Sequence, residues 1–170
     1  SAAQSDAAAC PAATAMPAAA VSAARSEQAL LCLLNRERAR AGARPLRANR
    51  CLARAAADHA RDMVRRRYFE HSSPDGRSFS DRILATGYAP PSARWTVGEN
   101  LAWGVAPAGD AAWVVNAWMN SSGHRENVLR AGFRDVGLAA VEGAPAGGDG
   151  ARATWAAEFG VQSGGRGRCG

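Results

Sequence analysis

Four stretches of helical periodicity precede the two most regularly alternating stretches of this chain, and that order is the strongest constraint on its fold. Ser26 can cap a helix whose broad apolar face is Leu30, Leu31, Leu33 and Leu34, with Gly42 and Pro45 closing it. Asn49 can cap a second helix, in which Leu52, Ala55, Ala56, His59, Ala60, Met63 and Val64 recur at helical spacing until near Arg67. A shorter helix is expected from Ser78 to Thr86, stopped by Gly87, and Asp110 can cap a fourth carrying Trp113, Val114, Ala117 and Trp118. Asp135 to Val141 and Arg152 to Phe159 then have strand character. The Gly/Pro-rich connection from Gly143 to Gly150 makes them an antiparallel hairpin with a long loop. Helices followed by strands, with no internal repeat, define an α+β chain, and 170 residues suit one domain with its own core.

Residues 1–25 are rich in Ala, Ser and Pro and hold one cysteine, too poor in large apolar side chains to pack, and read as an arm. The domain proper is expected over 26–162, and 163–170 form a Gly/Arg tail with a terminal cysteine. Cys10, Cys32, Cys51 and Cys169 lack the CxxC spacing of zinc ribbons and redox motifs, so disulfides are expected. Three pairings are possible. Cys10 with Cys32 and Cys51 with Cys169 is the favoured one, because each bridge then secures a terminus. A chain opening on Ser-Ala-Ala-Gln-Ser, without Met or an apolar leader, reads as a mature export product, placing it outside the cytosol or on the envelope exterior. No apolar stretch approaches the roughly 20 residues of a membrane span.

All 21 basic residues are arginine, against 15 acidic ones, giving a net charge of +6. That favours an anionic surface such as a cell envelope. The arginines are dispersed without aromatic interleaving or a nucleic-acid motif, so solvated helix faces account for them and nucleic acid is not an expected partner.

Three short stretches concentrate the chemistry: Phe69-Glu70-His71-Ser72-Ser73-Pro74-Asp75-Gly76, Gly98-Glu99-Asn100, and Trp118-Met119-Asn120-Ser121-Ser122-Gly123-His124-Arg125. The Ser-Ser-Pro-Asp-Gly segment and Gly98-Glu99-Asn100 read as turns, and His124 is expected just before a short helix from Arg125 to Leu129. Two imidazoles and a carboxylate can divide proton transfer or bind a divalent metal, provided they converge. Ser72 and Ser73 carry no nucleophile signature, since adjacent residues rarely pair as nucleophile and base and no Gly-x-Ser-x-Gly elbow is present. His59, in an alanine-rich helix, reads as a packing histidine. Asn35, Arg38 and Asn100 read as structural hydrogen-bonders, and the five tryptophans as core and cleft wall.

Leu33-Leu34-Asn35-Arg36-Glu37-Arg38, Ala56-Ala57-Asp58-His59-Ala60, Phe69-Glu70-His71, Gly98-Glu99-Asn100, Gly123-His124-Arg125 and Glu158-Phe159-Gly160, in this order, resemble the CAP superfamily (cysteine-rich secretory protein, antigen 5, pathogenesis-related 1). The bacterial SCP-like branch is the most similar, and the resemblance runs from about Glu27 to Gly160. It implies an α-β-α sandwich with a central antiparallel sheet and a surface cleft that, in eukaryotic members, holds two histidines and two glutamates able to bind divalent ions. His71 and Glu99 match the first histidine and first glutamate. The pattern departs at Ser121, where the family has its second glutamate, and at Thr154, where it has its second histidine. His124 belongs to the Gly-His-Arg motif of the bacterial branch and is the candidate second imidazole. A metal site of His71, His124 and Glu99 would take Zn2+ or another divalent cation, although the two departures weaken the cage.

The leading expectation is a monomeric extracellular binding module with no identifiable nucleophile motif, engaging a lipid, glycan or peptide through a cleft of His71, Glu99, Ser121 and His124. A hydrolase with His71, Glu99 and His124 as its catalytic candidates is the alternative, and a basic envelope-associated structural protein is the third reading.

Overall fold

The structure, a computed structural model, describes residues 10–17, 22–164 and 169. Its elements run α1 (Ala23–Arg40), β1 (Arg47–Ala48), α2 (Arg50–Arg66), α3 (Phe79–Ala85), β2 (Trp95–Val105), α4 (Ala111–Met119), α5 (Ser122–Leu129), β3 (Asp135–Glu142) and β4 (Arg152–Gln162). The strands form one sheet in the order β1-β3-β4-β2. The β3–β4 and β4–β2 pairs are antiparallel, as expected, but the two-residue β1 joins β3 in parallel at its outer edge.

Local chemistry explains most boundaries. Asn49 accepts from the amides of Cys51 and Leu52 at the start of α2, while Ser78 and Asp81 form a reciprocal capping box on α3. Asp110 caps α4 through the Trp113 amide. The first helix starts earlier than its sequence signal: Ser22 is the N-cap, and Ser26 is buried one turn inside.

Strand alternation divides the core into two layers. Ala153, Trp155, Ala157 and Phe159 of β4 face α1 and α4, packing with Leu30, Leu34, Val114 and Trp118. Leu101, Ala139 and Ala156 face the other way, onto Ala56, Ala60 and Met63 of α2. The α2 backbone lies directly on Gly137, where a Cβ would stand 1.9 Å from the Leu52 carbonyl carbon. A side chain there would lift the helix from the sheet.

A buried arginine and a half-buried asparagine hold the irregular segments. Arg38, fully buried, donates to the carbonyls of Arg44, Val128, Arg130 and Phe133, and Asn35 exchanges two hydrogen bonds with Leu46. Disulfides join Cys10 to Cys32 and Cys51 to Cys169, the favoured pairing. The arm is less inert than its composition indicates. Cys10 and Ala13 are buried, and the Ala13 carbonyl accepts from the Ala112 amide, so residues 10–17 pack on the α1/α4 layer. The outer part of the arm and most of the Gly/Arg tail lie outside the described residues. Only Trp118 and Trp155 are deeply buried tryptophans, with indole N–H groups donating to Leu101 and Gly109; Trp95 and Trp113 are exposed.

Candidate functional site

The site forms around β2, an edge strand of the sheet, where the two faces of the molecule meet. Gly98-Glu99-Asn100 lies inside this strand and is not a turn. Glycine serves close approach here: a Cβ on Gly98 would come within 2.7 Å of Asn127 Oδ1 and 3.2 Å of Phe133. Asn127 of α5 donates to the Glu99 carbonyl (3.2 Å) and to Asn100 Oδ1 (2.9 Å), while Asn100 Nδ2 donates to the His124 carbonyl (3.0 Å). These bonds satisfy edge-strand polar groups and fix α5 against them. His124 therefore sits within α5, not ahead of a helix beginning at Arg125.

On the other face, alternation points the Glu99 side chain beneath α2, where it is fully buried. Its Oε1 accepts from His71 Nδ1 at 2.7 Å and its Oε2 from Arg82 Nη2 at 2.7 Å. His71, whose side chain remains 55% exposed, sits at the start of a turn in which the Gly76 amide donates to Ser73 O and Gly76 takes φ +86°. Arg82, almost wholly buried, organises that turn by donating also to the His71 carbonyl (2.9 Å), Ser73 Oγ (3.2 Å) and the Arg77 carbonyl (3.2 Å).

His71, Glu99, Ser121 and His124 thereby line one open concavity of about 370 Å³, together with Phe79, Val97 and Asn127. Sequence brought these four residues to notice; their joining around an edge strand is a tertiary outcome. Thr154 lies elsewhere, buried and donating to the Gly143 carbonyl. His59 is buried, with Nε2 3.0 Å from the Glu70 carbonyl, as a packing histidine should be, yet that nitrogen is also 3.9 Å from Glu99 Oε2.

Two members of the cluster escaped the sequence reading. Arg82 sits in a short helix with no local sign of its distant partner. Glu158 stands directly opposite Glu99 in the β2–β4 register and is completely buried. Its available signal was alternation: Thr154, Ala156 and Glu158 share the α2 face of β4, placing a carboxyl among small buried residues.

The electrostatics follow. Burial raises the Glu158 pKa well above the usual carboxyl range, and the neighbouring charge of Glu99 adds to the effect, which favours the protonated form of Glu158. Burial also pushes Glu99 upward, but the His71 hydrogen bond, the adjoining Glu158 carboxyl and the charge of Arg82 together outweigh it and hold Glu99 below its ordinary value. The hydrogen bond to Glu99 raises His71 above the usual imidazole value, whereas burial lowers both His124 and His59.

This arrangement does not fit the three-ligand metal centre expected from sequence. Both Glu99 oxygens are committed, one to His71 and one to Arg82, and among the described residues no three His, Cys, Asp or Glu side chains converge to hold an ion. Glu99 orients His71 instead. With its Nδ1–H donated inward, the ring presents Nε2 as its remaining polar atom.

Comparison with known proteins agrees with this architecture. The profile of the cysteine-rich secretory protein family (CAP) matches residues 31–159. The uncharacterized protein YkwD of Bacillus subtilis is 36% identical over 116 residues, covering 68% of this chain and 42% of that protein. The B. subtilis membrane protein YlbC is 32% identical over 113 residues, covering 66% of this chain and 31% of its own length. The chain thus spans less than half the length of these curated relatives. Among solved structures, an extracellular SCP-domain protein from Bacillus anthracis superposes with a TM-score of 0.63 at 27% identity, over 81% of this chain and 40% of that one. An outer surface protein from Borrelia burgdorferi gives 0.65 at 22% identity over 79% and 90%, a likeness of fold. By its sequence match and its α-β-α architecture, the chain belongs to the cysteine-rich secretory protein (CAP) family.

Proposed function

We propose that this chain acts as an extracellular binding module whose cleft captures an anionic group of its ligand through His71. The observation that carries this reading is the fixed His71–Glu99–Arg82 array. A buried carboxylate, already neutralised by Arg82, holds the imidazole in one orientation and favours its protonated form, so the cleft contributes a directed positive charge. The N-terminus of α5 adds to this on the facing wall. Its N-cap Ser121 makes no side-chain bond to the helix, leaving first-turn amides at Gly123 and His124 for an acceptor. Two disulfides accord with an oxidising compartment, as does similarity to an extracellular SCP-domain protein; no helix among the described residues is long and apolar enough to cross a membrane.

The test is an NMR titration of the His71 and His124 rings with acetate and with inorganic phosphate, in wild type, His71→Ala and Glu99→Gln. Saturable shifts at His124 and the Gly123 amide, abolished by His71→Ala, are expected. The His71 pKa should fall in Glu99→Gln and rise on anion binding. Shifts that never saturate, or that persist in His71→Ala, would sink the reading. One equivalent of zinc, added in parallel, should leave both rings unshifted; tight binding lost in both His71→Ala and His124→Ala would move the function to a metal.

The hydrolase reading keeps one specific support: a histidine whose Nδ1–H is held by a carboxylate at 2.7 Å is arranged as a general base, with Ser121 in the same cleft. Ester turnover that disappears in both His71→Ala and Glu99→Gln, with folding intact, would favour it; turnover surviving both would reject it.

A further inference from the structure

A second and larger concavity, about 590 Å³, lies along the outer face of α2 and is walled on its far side by Ser73, Arg77 and α3. The helix contributes Arg54, Asp58, Arg61, Asp62 and Arg65, which share one stripe because they are spaced by four, three, one and three residues. At a 1.5 Å rise the stripe runs for about 16 Å. Arg77 and Arg82 face it, and Ala55, Ala85 and Thr86 supply small side chains that leave the groove open. Arg82 is spent on buried Glu99 and Arg77 on Asp75, so the charge open to a ligand is that of the three helix arginines against two aspartates, a net +1.

The aspartates do not neutralise the stripe. Asp58 is shared by Arg54 at 4.0 Å and Arg61 at 3.3 Å, while Asp62 is shared by Arg65 at 2.6 Å and Arg66 at 3.3 Å. The Arg54, Arg61 and Arg65 side chains are more than half exposed, and exposed pairs of this kind hold their geometry weakly, so the guanidinium groups can turn toward an incoming anion. Planar guanidinium forks suit phosphate oxygens, and three of them in line suit a ligand whose charge repeats. The one ring in the lining is His59, whose side chain is fully buried, so the groove offers no aromatic face on which a base could stack.

We infer that this groove binds a linear, base-free phosphodiester chain along α2, at a site separate from the His71 cleft. The inference does not depend on the cleft's proposed role.

The test is fluorescence anisotropy with a dye-labelled oligo(glycerol phosphate) long enough to span the groove, beside an oligothymidylate with the same number of phosphates. Wild type should bind the glycerol phosphate oligomer one to one and more tightly than the oligothymidylate. The triple variant Arg54→Gln/Arg61→Gln/Arg65→Gln should lose at least about tenfold in affinity, and its log K against log salt slope should drop by about two units, given roughly 0.7 per single-strand phosphate contact. Gln preserves helix propensity, and Arg77→Gln on the opposite wall provides a weaker variant that leaves α2 untouched. A control triple of exposed arginines outside the groove, Arg25→Gln/Arg47→Gln/Arg94→Gln, removes the same charge and should retain binding. His71→Ala should bind as wild type. Equal losses in the two triples would reduce the effect to diffuse charge. Oligothymidylate binding as tightly would make the class nucleic acid, and loss in His71→Ala would place the ligand in the cleft. Each of these results, or no binding at all, overturns the inference.

Discussion

Replacing Arg82 by methionine should remove the side chain that joins the His71 turn to the buried acid, while keeping most of the apolar stem. The wild-type guanidinium donates to Glu99 Oε2 at 2.7 Å and to three neutral acceptors: the His71 carbonyl, Ser73 Oγ and the Arg77 carbonyl. Glu99 has no exposed side-chain surface, so its carboxylate would be left buried with one oxygen unpaired. Breaking such a pair from one side costs about 3–5 kcal/mol. The neutral bonds contribute about 1 kcal/mol each, partly recovered by water at the exposed turn, for a total of about 4–6 kcal/mol. Against the roughly 5–15 kcal/mol typical of a domain, the variant should be marginally folded. Urea unfolding followed by tryptophan fluorescence at pH 7, with disulfides intact, reads the difference directly. The sign with pH is also fixed. Glu99 has a depressed pKa, so its contribution is present above its unfolded value near 4.5 and is lost as pH falls through the folded value. The gap between wild type and Arg82→Met should therefore narrow on acidification. The double variant Arg82→Met/Glu99→Gln should recover at least about 2 kcal/mol, because no buried charge remains. A penalty below about 1 kcal/mol, a gap unchanged at low pH, or no recovery in the double variant would refute the reasoning.

Glu158→Gln should act oppositely. A raised folded pKa gives stability that is complete below the unfolded value near 4.5 and is lost as pH climbs to the folded value, at up to about 1.4 kcal/mol per pH unit. The amide keeps the shape without ionising, so thermal unfolding should show the variant gaining on wild type between pH 4 and pH 7; a pH-independent difference would contradict a protonated Glu158. For Gly137→Ala, a Cβ 1.9 Å from one α2 backbone atom and 2.0 Å from another cannot be absorbed by a rotamer change. A loss of at least about 3 kcal/mol, or failure to fold, is expected in the same urea assay, and near-wild-type stability would show that α2 yields easily.

What could be read from the chain was whatever local chemistry decides. Asn49, Ser78 and Asp110 begin their helices because a side-chain oxygen can satisfy orphan amides within one turn, and that information lies within four residues. Ser26 misled because Ser22 offers the same chemistry one turn earlier. Gly98-Glu99-Asn100 misled for a different reason. Glycine in a strand and glycine in a turn look alike in sequence, and only the arrival of Asn127 and Phe133 reveals that Gly98 makes room for a neighbour.

The sequence by itself determined the α+β class, the caps Asn49, Ser78 and Asp110, the late hairpin and, through its motifs, the family, and it singled out His71, Glu99, Ser121 and His124 as candidates. Tertiary structure alone decided what those residues became. The antiparallel register sets Glu158 against Glu99, α3 carries Arg82 to the second Glu99 oxygen, and β2 as an edge strand lets α5 bring His124 around from the opposite layer. These relations join residues distant in sequence through buried charge, and the energy of a buried charge depends on everything that surrounds it in space.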